Sequence, residues 1–512
     1  MNGAGALLAT LAANGVNVVF ANPGTSEMHF VAGLDDADMR AVLCLFEGVA
    51  TGAADGYARV SGRPAATLLH LGPGLANGWA NLHNARRAHS PVVNIVGDHA
   101  TYHASLDAPL QSDIAAVASA LEGWFTRSER ADDVARDAAA AITAAVGPPG
   151  RVATLVLAAD ASWSEVQPGP APLAAPPMAP GVDADALARC VRALGPRSAI
   201  LLGGRLDATA LKLAGQICAT SGARLMMETF PAIVERGAGV VDPERIIYLS
   251  EFALHQFAEI DSLVLVGAPA PVGFFAYPDV ASRLTRDDCE VITLVGPGGD
   301  VAGPLAALAA ATGAAPIEVP VGEPPARPYG DLNAQSFATA VAATLPAGVV
   351  VADESNTSGV HLFGACRFAP RHRWMTLTGG AIGYGLPVAV GAAVASGTRV
   401  LALESDGSML YTPQALWTMA RERLDVTVVA LANGRYAILD LERRRVGAVG
   451  ADAVSERLFD LGDPRLDLAG LARSLGVTAT TVTTAHELCD ALERSYATSG
   501  PTVIEARLPV AF

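Results

Sequence analysis

Lysine is almost missing from this chain: Lys212 is the only one among 512 residues, and every other basic side chain is arginine. A single candidate amine, on an amphipathic segment of the middle region, argues against Schiff-base chemistry. Positive charge is short overall, with 35 Lys and Arg against 51 Asp and Glu, a net charge of −16 and a pI near 5.0. Nucleic acids and anionic membranes recruit basic patches, so neither is expected as a partner. The six cysteines (Cys44, Cys190, Cys218, Cys289, Cys366 and Cys489) form no C-x-x-C pair, and the histidines do not cluster. A zinc site and a disulfide framework are therefore not indicated. No uncharged apolar run reaches the roughly 18 residues of a membrane span. The opening residues MNGAGALLATLAANG lack the basic start and long apolar core of a secretory signal, so a cytoplasmic protein is expected. Aromatic residues are also few, at 5%, although 51% of the chain is hydrophobic. Ala, Gly, Val and Leu make up the difference, which suits helices packed closely on parallel sheets.

Two proline-rich stretches, 166–181 and 315–331, lack periodicity and suit interdomain linkers. They divide the chain into domains over 1–165, 183–315 and 331–512. In each, short β-branched runs end in Gly, Pro or polar turns and alternate with helical patterns. Examples are NVVFANPG and PVVNIVGD in the first, AILLGGR and SLVLVGAPA in the second, RVLALESDG and DVTVVALANG in the third. The expected fold class is α/β: three consecutive domains, each a mostly parallel sheet flanked by helices. AATLLHLGPG…VVNIVGD in the first domain and WMTLTGG…RVLALESD in the third share the layout strand, glycine turn, small-residue helix, strand ending in Asp. This reads as an internal duplication.

The segment LALESDGSMLYTPQALWTMARERLDVTVVALANGRYAIL reads as a βαβ unit, placing Asp406 and Asn433 at the carboxyl ends of two parallel strands. An Asp carboxylate, an Asn carbonyl and a backbone carbonyl at Arg435 would supply about half the oxygen shell of Mg²⁺, which phosphate oxygens commonly complete. Gly407 permits close approach, and the amides around Ser408 start a helix that faces negative charge. An ordinary N-cap and an ordinary Asn-Gly turn explain these residues equally well in isolation. In the first domain, Glu47 stands where the strand LCLF passes into a helix, among apolar neighbours. Burial there would favour a carboxyl that holds or donates a proton. A first-turn Glu placed by the helix dipole is the competing explanation.

Taken together, a strand-end Glu followed by GVATGAADGYARVSG, then GPG with a downstream SPVVNIVG, and the Asp-Gly-Ser to Asn motif resemble the thiamine-diphosphate-dependent 2-oxo acid enzymes. NPGTSE, DGYAR, LPVAVGAA and DGS…ALWT are similar to acetohydroxyacid (acetolactate) synthase and benzoylformate decarboxylase, and the likeness spans the chain. It implies an N-terminal pyrimidine-binding domain, a central α/β domain and a C-terminal diphosphate-binding domain. Thiamine diphosphate and Mg²⁺ are the implied cofactors. Asp406, Asn433 and the carbonyl of Arg435 match the metal ligands. Glu47 matches the glutamate that meets the aminopyrimidine, and Ile382 the apolar residue under the bent cofactor. Asn356, Thr357, Gly380, Gly407, Ser408 and Tyr436 fall at cofactor-binding positions. His70 matches a catalytic pocket histidine, and Thr25, Gln111, Phe275 and Leu439 fall at the substrate side. The resemblance also implies a homodimer or homotetramer with active sites between subunits, acting on a small 2-oxo acid.

Several positions depart from the pattern. Ser405 and Ala432 replace the usual Gly of GDGS and the first Asn of NN, and neither change removes a metal ligand. The loop PAPVGFFAYPD offers Phe274, Phe275 and Tyr277 where benzoylformate decarboxylase has a second histidine. Ile438 and Leu439 stand where pyruvate decarboxylases have an acid. These two aids to protonating the enamine and releasing an aldehyde are thus missing, which favours decarboxylation followed by carboligation to a second carbonyl, as in acetolactate synthase. A non-oxidative decarboxylase is the alternative, and a catalytically silent assembly paralogue a third. No G-x-G-x-x-G opens a helix in the central domain, so FAD is not expected.

Overall fold

The computed structural model describes residues 1–167, 172–173, 181–448, 450 and 453–510. Most of the first proline-rich stretch, and with it the linker expected there, lies outside the described residues. The second is described: residues 314–329 form neither helix nor strand.

The first sheet contains β1 (Val18–Ala21), β2 (Arg40–Leu43), β3 (Ala65–Leu69), β4 (Val92–Asp98), β5 (Trp124–Ser128) and β6 (Val152–Ala158), all parallel, in the order β2-β1-β3-β4-β6-β5. The middle region supplies β7 (Ser198–Leu202), β8 (Arg205–Leu206), β9 (Arg224–Met227), β10 (Ile233–Arg236), β11 (Glu244–Arg245), β12 (Ser262–Val266) and β13 (Glu290–Val295). Five of these form a parallel sheet in the order β11-β9-β7-β12-β13. The last region supplies β14 (Val350–Glu354), β15 (His372–Thr376), β16 (Val400–Ser405), β17 (Val426–Ala432), β18 (Thr478–Val482) and β19 (Thr502–Arg507). These run β18-β19-β17-β16-β14-β15, and β10 and β8 extend the sheet past β15. Only the β10–β15 pair is antiparallel. The middle region therefore donates two strands to the third sheet, which its sequence pattern did not show. Both are short, and neither carries the long apolar run that marks β7 or β12.

The six strands of the last region repeat the order of the first sheet, 2-1-3-4-6-5 by chain position. A shared layout is thus visible in topology, as common descent or common α/β architecture alone would give it, but one strand out of step with the segments matched by sequence. By topology β15 corresponds to β2, so the helix Gly385–Ser396 corresponds to the helix Glu47–Ser61. The glycine-rich segments misled the pairing because both regions repeat strand, turn and helix with nearly the same period.

These two equivalent helices pack directly on each other. A Cβ at Gly56 would collide with the Val388 carbonyl, and one at Gly391 with the Ala53 carbonyl, so the backbones come closer than side chains would allow. One apolar cluster continues from Phe20, Val42 and Ala53 to Val388, Val428 and Val503, joining the first and last regions through buried surface. A second joins Ile200, Leu211 and Val264 of the middle region to Val351, Trp374 and Leu401 of the last. Among the described residues, no helix is long and apolar enough to cross a membrane.

Candidate active site

Asp406 and Asn433 meet at the carboxyl ends of β16 and β17. Asp406 is buried at the start of the short helix Asp406–Met409; its Oδ2 accepts the Gly434 amide at 2.7 Å and its Oδ1 the Gly407 amide at 2.9 Å. Burial raises its pKa, and these amides pull the other way. Asn433 turns Oδ1 to the Arg435 amide (2.8 Å) and donates from Nδ2 to Ser358 Oγ (3.1 Å). The Tyr436 ring lies over Gly407, where a Cβ would collide with it. Asn356, at φ 48°, donates from Nδ2 to Ser405 Oγ (2.9 Å) and Ser408 Oγ (3.0 Å). It opens the turn Asn356–Gly359, which also holds Thr357. The Arg435 side chain points away, to Glu456 at 2.5 Å, leaving only its backbone for the site.

A second group surrounds the turn 379–383. Glu354, ending β14, accepts the amides of Gly383 (2.7 Å), Tyr384 (2.9 Å) and Gly385 (2.7 Å). Burial lifts its pKa to about 7, and Glu404, buried beside it, is driven well above the usual carboxylate range by burial and then by the Glu354 charge. From the first region, the helix Leu71–Arg87 reaches across. Asn81 donates from Nδ2 to the Gly383 carbonyl (3.1 Å) and the Gly48 carbonyl (2.9 Å), and Asn84 donates to the Ala381 carbonyl (2.8 Å). The turn carries half-buried Ile382 and Gly380, over which the Phe274 ring lies.

The third group lies in the first region. Glu47 is the first residue of its helix and is 6% exposed; Asn77 donates to its Oε2 at 3.0 Å, and Gly74 leaves room for its Oε1. His70, between β3 and the helix Leu71–Arg87, places Nδ1 2.9 Å from Oε2 of Glu27. Gln111 lies on the loop that covers that helix start; its Oε1 is buried without a partner among the described residues, and Ser112 fills the space beside Gly72. Thr25 is exposed, two residues before Glu27.

The sequence is similar along its full length to known proteins. It matches the family models described as the N-terminal TPP-binding domain of thiamine pyrophosphate enzymes, over residues 1–119, and the C-terminal TPP-binding domain, over residues 355–506. A Mycobacterium tuberculosis protein named "Putative acetolactate synthase large subunit" is 52% identical, covering 99% of both chains. The chain belongs to the thiamine pyrophosphate enzyme family. The benzoylformate decarboxylase of Pseudomonas aeruginosa is 30% identical over 96% of each chain. In fold, a Rhodococcus jostii thiamine diphosphate-dependent 4-hydroxybenzoylformate decarboxylase aligns with a TM-score of 0.85, at 24% identity and over 99% of each chain.

Apart from Glu354, one residue before the second match, and Phe274 of the middle region, the residues of the three groups fall within the two matched domains. Phe275 and Leu439 are about half exposed, and the Phe275 ring packs against Phe274, at 4.9 Å between centroids. Tyr277 donates to Glu442 Oε2 at 2.6 Å and accepts from Arg445 at 2.8 Å. A cavity of about 530 Å³, bordered by Phe274 and Gly379, lies where Leu201, Glu228 and Gly267 of the middle region face Arg86, Arg87 and His89 of the first. Sequence reasoning missed Glu27, Asn81 and Asn84. Glu27 stood inside the quoted NPGTSE motif, but its partner is 43 residues away. The asparagines sit on a helix whose polar face resembles a solvated one, until the third region covers it.

Proposed function

We propose that this chain binds Mg²⁺ and thiamine diphosphate between two copies of itself, decarboxylates a small 2-oxo acid, and joins the remaining acyl carbon to a second carbonyl compound. The residues fit these groups. The Asp406 and Asn433 oxygens each accept one backbone amide and keep a further lone pair for a hard cation, with the Arg435 carbonyl as third ligand. Gly407 under Tyr436, with Asn356, Thr357 and Ser408 alongside, makes a polar cradle for a diphosphate. Ile382 and Gly380 would support the rings. The bound cofactor would supply the electron sink for loss of carbon dioxide. Glu47 would hold a proton at its carboxyl against the pyrimidine nitrogen, with Asn77 fixing the other oxygen. Thr25, Gln111, Phe275 and Leu439 would line the substrate side around His70.

Tyr277 carries the choice of ligation. Its hydroxyl is committed to Glu442 and Arg445, and burial, then Glu442, pushes its pKa up to about 12. Such a phenol is a poor acid, and Ile438 and Leu439 have no proton to give. The name of the 52% identical relative supports the same reading. The His70–Glu27 pair favours the second reading, release of an aldehyde, because a held imidazole can deliver a proton. No flavin is proposed, since no dinucleotide fingerprint opens a central helix.

Incubation with Mg²⁺, thiamine diphosphate and a panel of 2-oxo acids, followed by product identification, tests the proposal. Acetolactate or acyloins support ligation, and free aldehyde alone supports the second reading. A protein that binds no cofactor and forms no product would be an assembly paralogue.

A further inference from the structure

We propose that Glu27 is the positioning residue of His70: it clamps Nδ1 so that Nε2 is the ring atom presented to substrate. The inference rests on the reading of His70 given above. Glu27 closes the turn Thr25–Glu27 and is only 3% exposed. Its Oε2 accepts the Gly24 amide at 2.7 Å and meets His70 Nδ1 at 2.9 Å, while its Oε1 is buried with no partner among the described residues. Two backbone positions are kept bare for this pair. A Cβ at Gly97 on β4 would run into the Glu27 carboxyl, and a Cβ at Gly24 would run into the His70 ring. A glutamate present only to close a turn has no need to sit in the core with an unpaired oxygen.

The lone pairs of Oε2 take the Gly24 N–H and the His70 Nδ1–H, which sets the tautomer and leaves Nε2 able to accept a proton. When Nε2 gains one, the imidazolium faces a carboxylate that stabilises it, the division of labour known from carboxylate–histidine pairs in hydrolases. Burial raises the Glu27 pKa, and the facing His70 and the Gly24 amide offset part of that rise. The His70 side chain is 24% exposed, so one edge of the ring stays open although Nδ1 is covered.

The test compares Glu27→Ala, Glu27→Gln, His70→Ala and the double variants in the Mg²⁺ and thiamine diphosphate holoenzyme, with melting temperature and cofactor affinity as controls. Glu27→Ala and His70→Ala should each lower kcat by about a hundredfold, the usual scale for losing a proton-transfer group, with KM changing far less. Glu27→Gln should lose about tenfold, because its amide oxygen still accepts the Nδ1–H but carries no charge to stabilise the imidazolium. Neither Glu27 change should slow His70→Ala further, since the two act through one ring. If Glu27→Ala does not fold, Glu27→Gln in both backgrounds decides. Near wild-type kcat in the Glu27 variants beside a slow His70→Ala overturns the proposal and spares the reading of His70. A double variant slowed by the full Glu27 factor overturns it as well. Full turnover by His70→Ala overturns both.

Discussion

Asn84 makes both hydrogen bonds of a peptide edge with Ala381: its Nδ2 donates to the Ala381 carbonyl at 2.8 Å, and its Oδ1 accepts the Ala381 amide at 3.2 Å. One asparagine of the first region thus completes the backbone of a turn in the third, beside Ile382. Asn84→Ala leaves a part-buried amide and carbonyl unpaired, and unpaired buried groups cost about 1–3 kcal/mol each. The variant should melt at lower temperature and bind thiamine diphosphate more weakly, checked by thermal denaturation and tryptophan-fluorescence titration.

Arg59 should prove the most sensitive structural residue. It is 2% exposed, pairs with Asp55 through Nη2 at 2.5 Å and Nε at 2.8 Å, and donates to the carbonyls of Thr376 (2.7 Å) and Ala232 (3.3 Å). All three regions therefore meet on one guanidinium. Asp55→Ala strands that charge in the core and should lower unfolding free energy by about 3–5 kcal/mol in urea titrations.

His372 gives a pH signature. Burial lowers its pKa from 6.5 to about 4, so between those values the unfolded chain binds a proton that the folded chain does not. Its contribution is fully present above pH 6.5 and is lost as pH falls through about 4. The shift corresponds to about 3 kcal/mol. Glu228 works the other way: burial raises its pKa from 4.5 to about 7, so its contribution is present below 4.5 and lost as pH rises through 7. Urea titrations from pH 7 to pH 4 should therefore show a smaller acid-side loss in His372→Phe than in wild type. Glu228→Gln should remove a loss on the neutral side.

Asp406→Ala and Asn433→Ala each strip backbone amides of their acceptor, so both should lower the melting temperature of the cofactor-free protein, and each should abolish Mg²⁺-dependent binding of thiamine diphosphate. Chelation of wild type should have the same effect on binding and be reversed by added Mg²⁺. Calorimetric titration with and without the metal checks both statements.

The residues most legible in the sequence were those whose partners lie within one βαβ unit. Asp406 and Asn433 are separated by the short helix Asp406–Met409, the helix Gln414–Arg421 and β17, and strand polarity alone brings the ends of β16 and β17 to the same edge. Most longer strands were equally clear from their apolar runs. Short or polar strands, such as β8, β10 and β18, were not, because two to five residues with mixed exposure have no period to read. Glu27, Asn81 and Asn84 were hidden for another reason. Each is a polar residue in a locally ordinary setting, and its partner comes from a different segment of the chain.

The sequence by itself determined the α/β class, the family and the placement of Asp406, Gly407 and Asn433 at one sheet edge, because periodicity and strand-end motifs are local properties of the chain. Tertiary structure alone decided how the first and third regions join, through helices Glu47–Ser61 and Gly385–Ser396, and which side chains hold Glu47, His70 and Ile382 in place. Those contacts depend on helix approach at Gly56 and Gly391 and on hydrogen bonds spanning up to about three hundred residues. Only a packed core sets such distances.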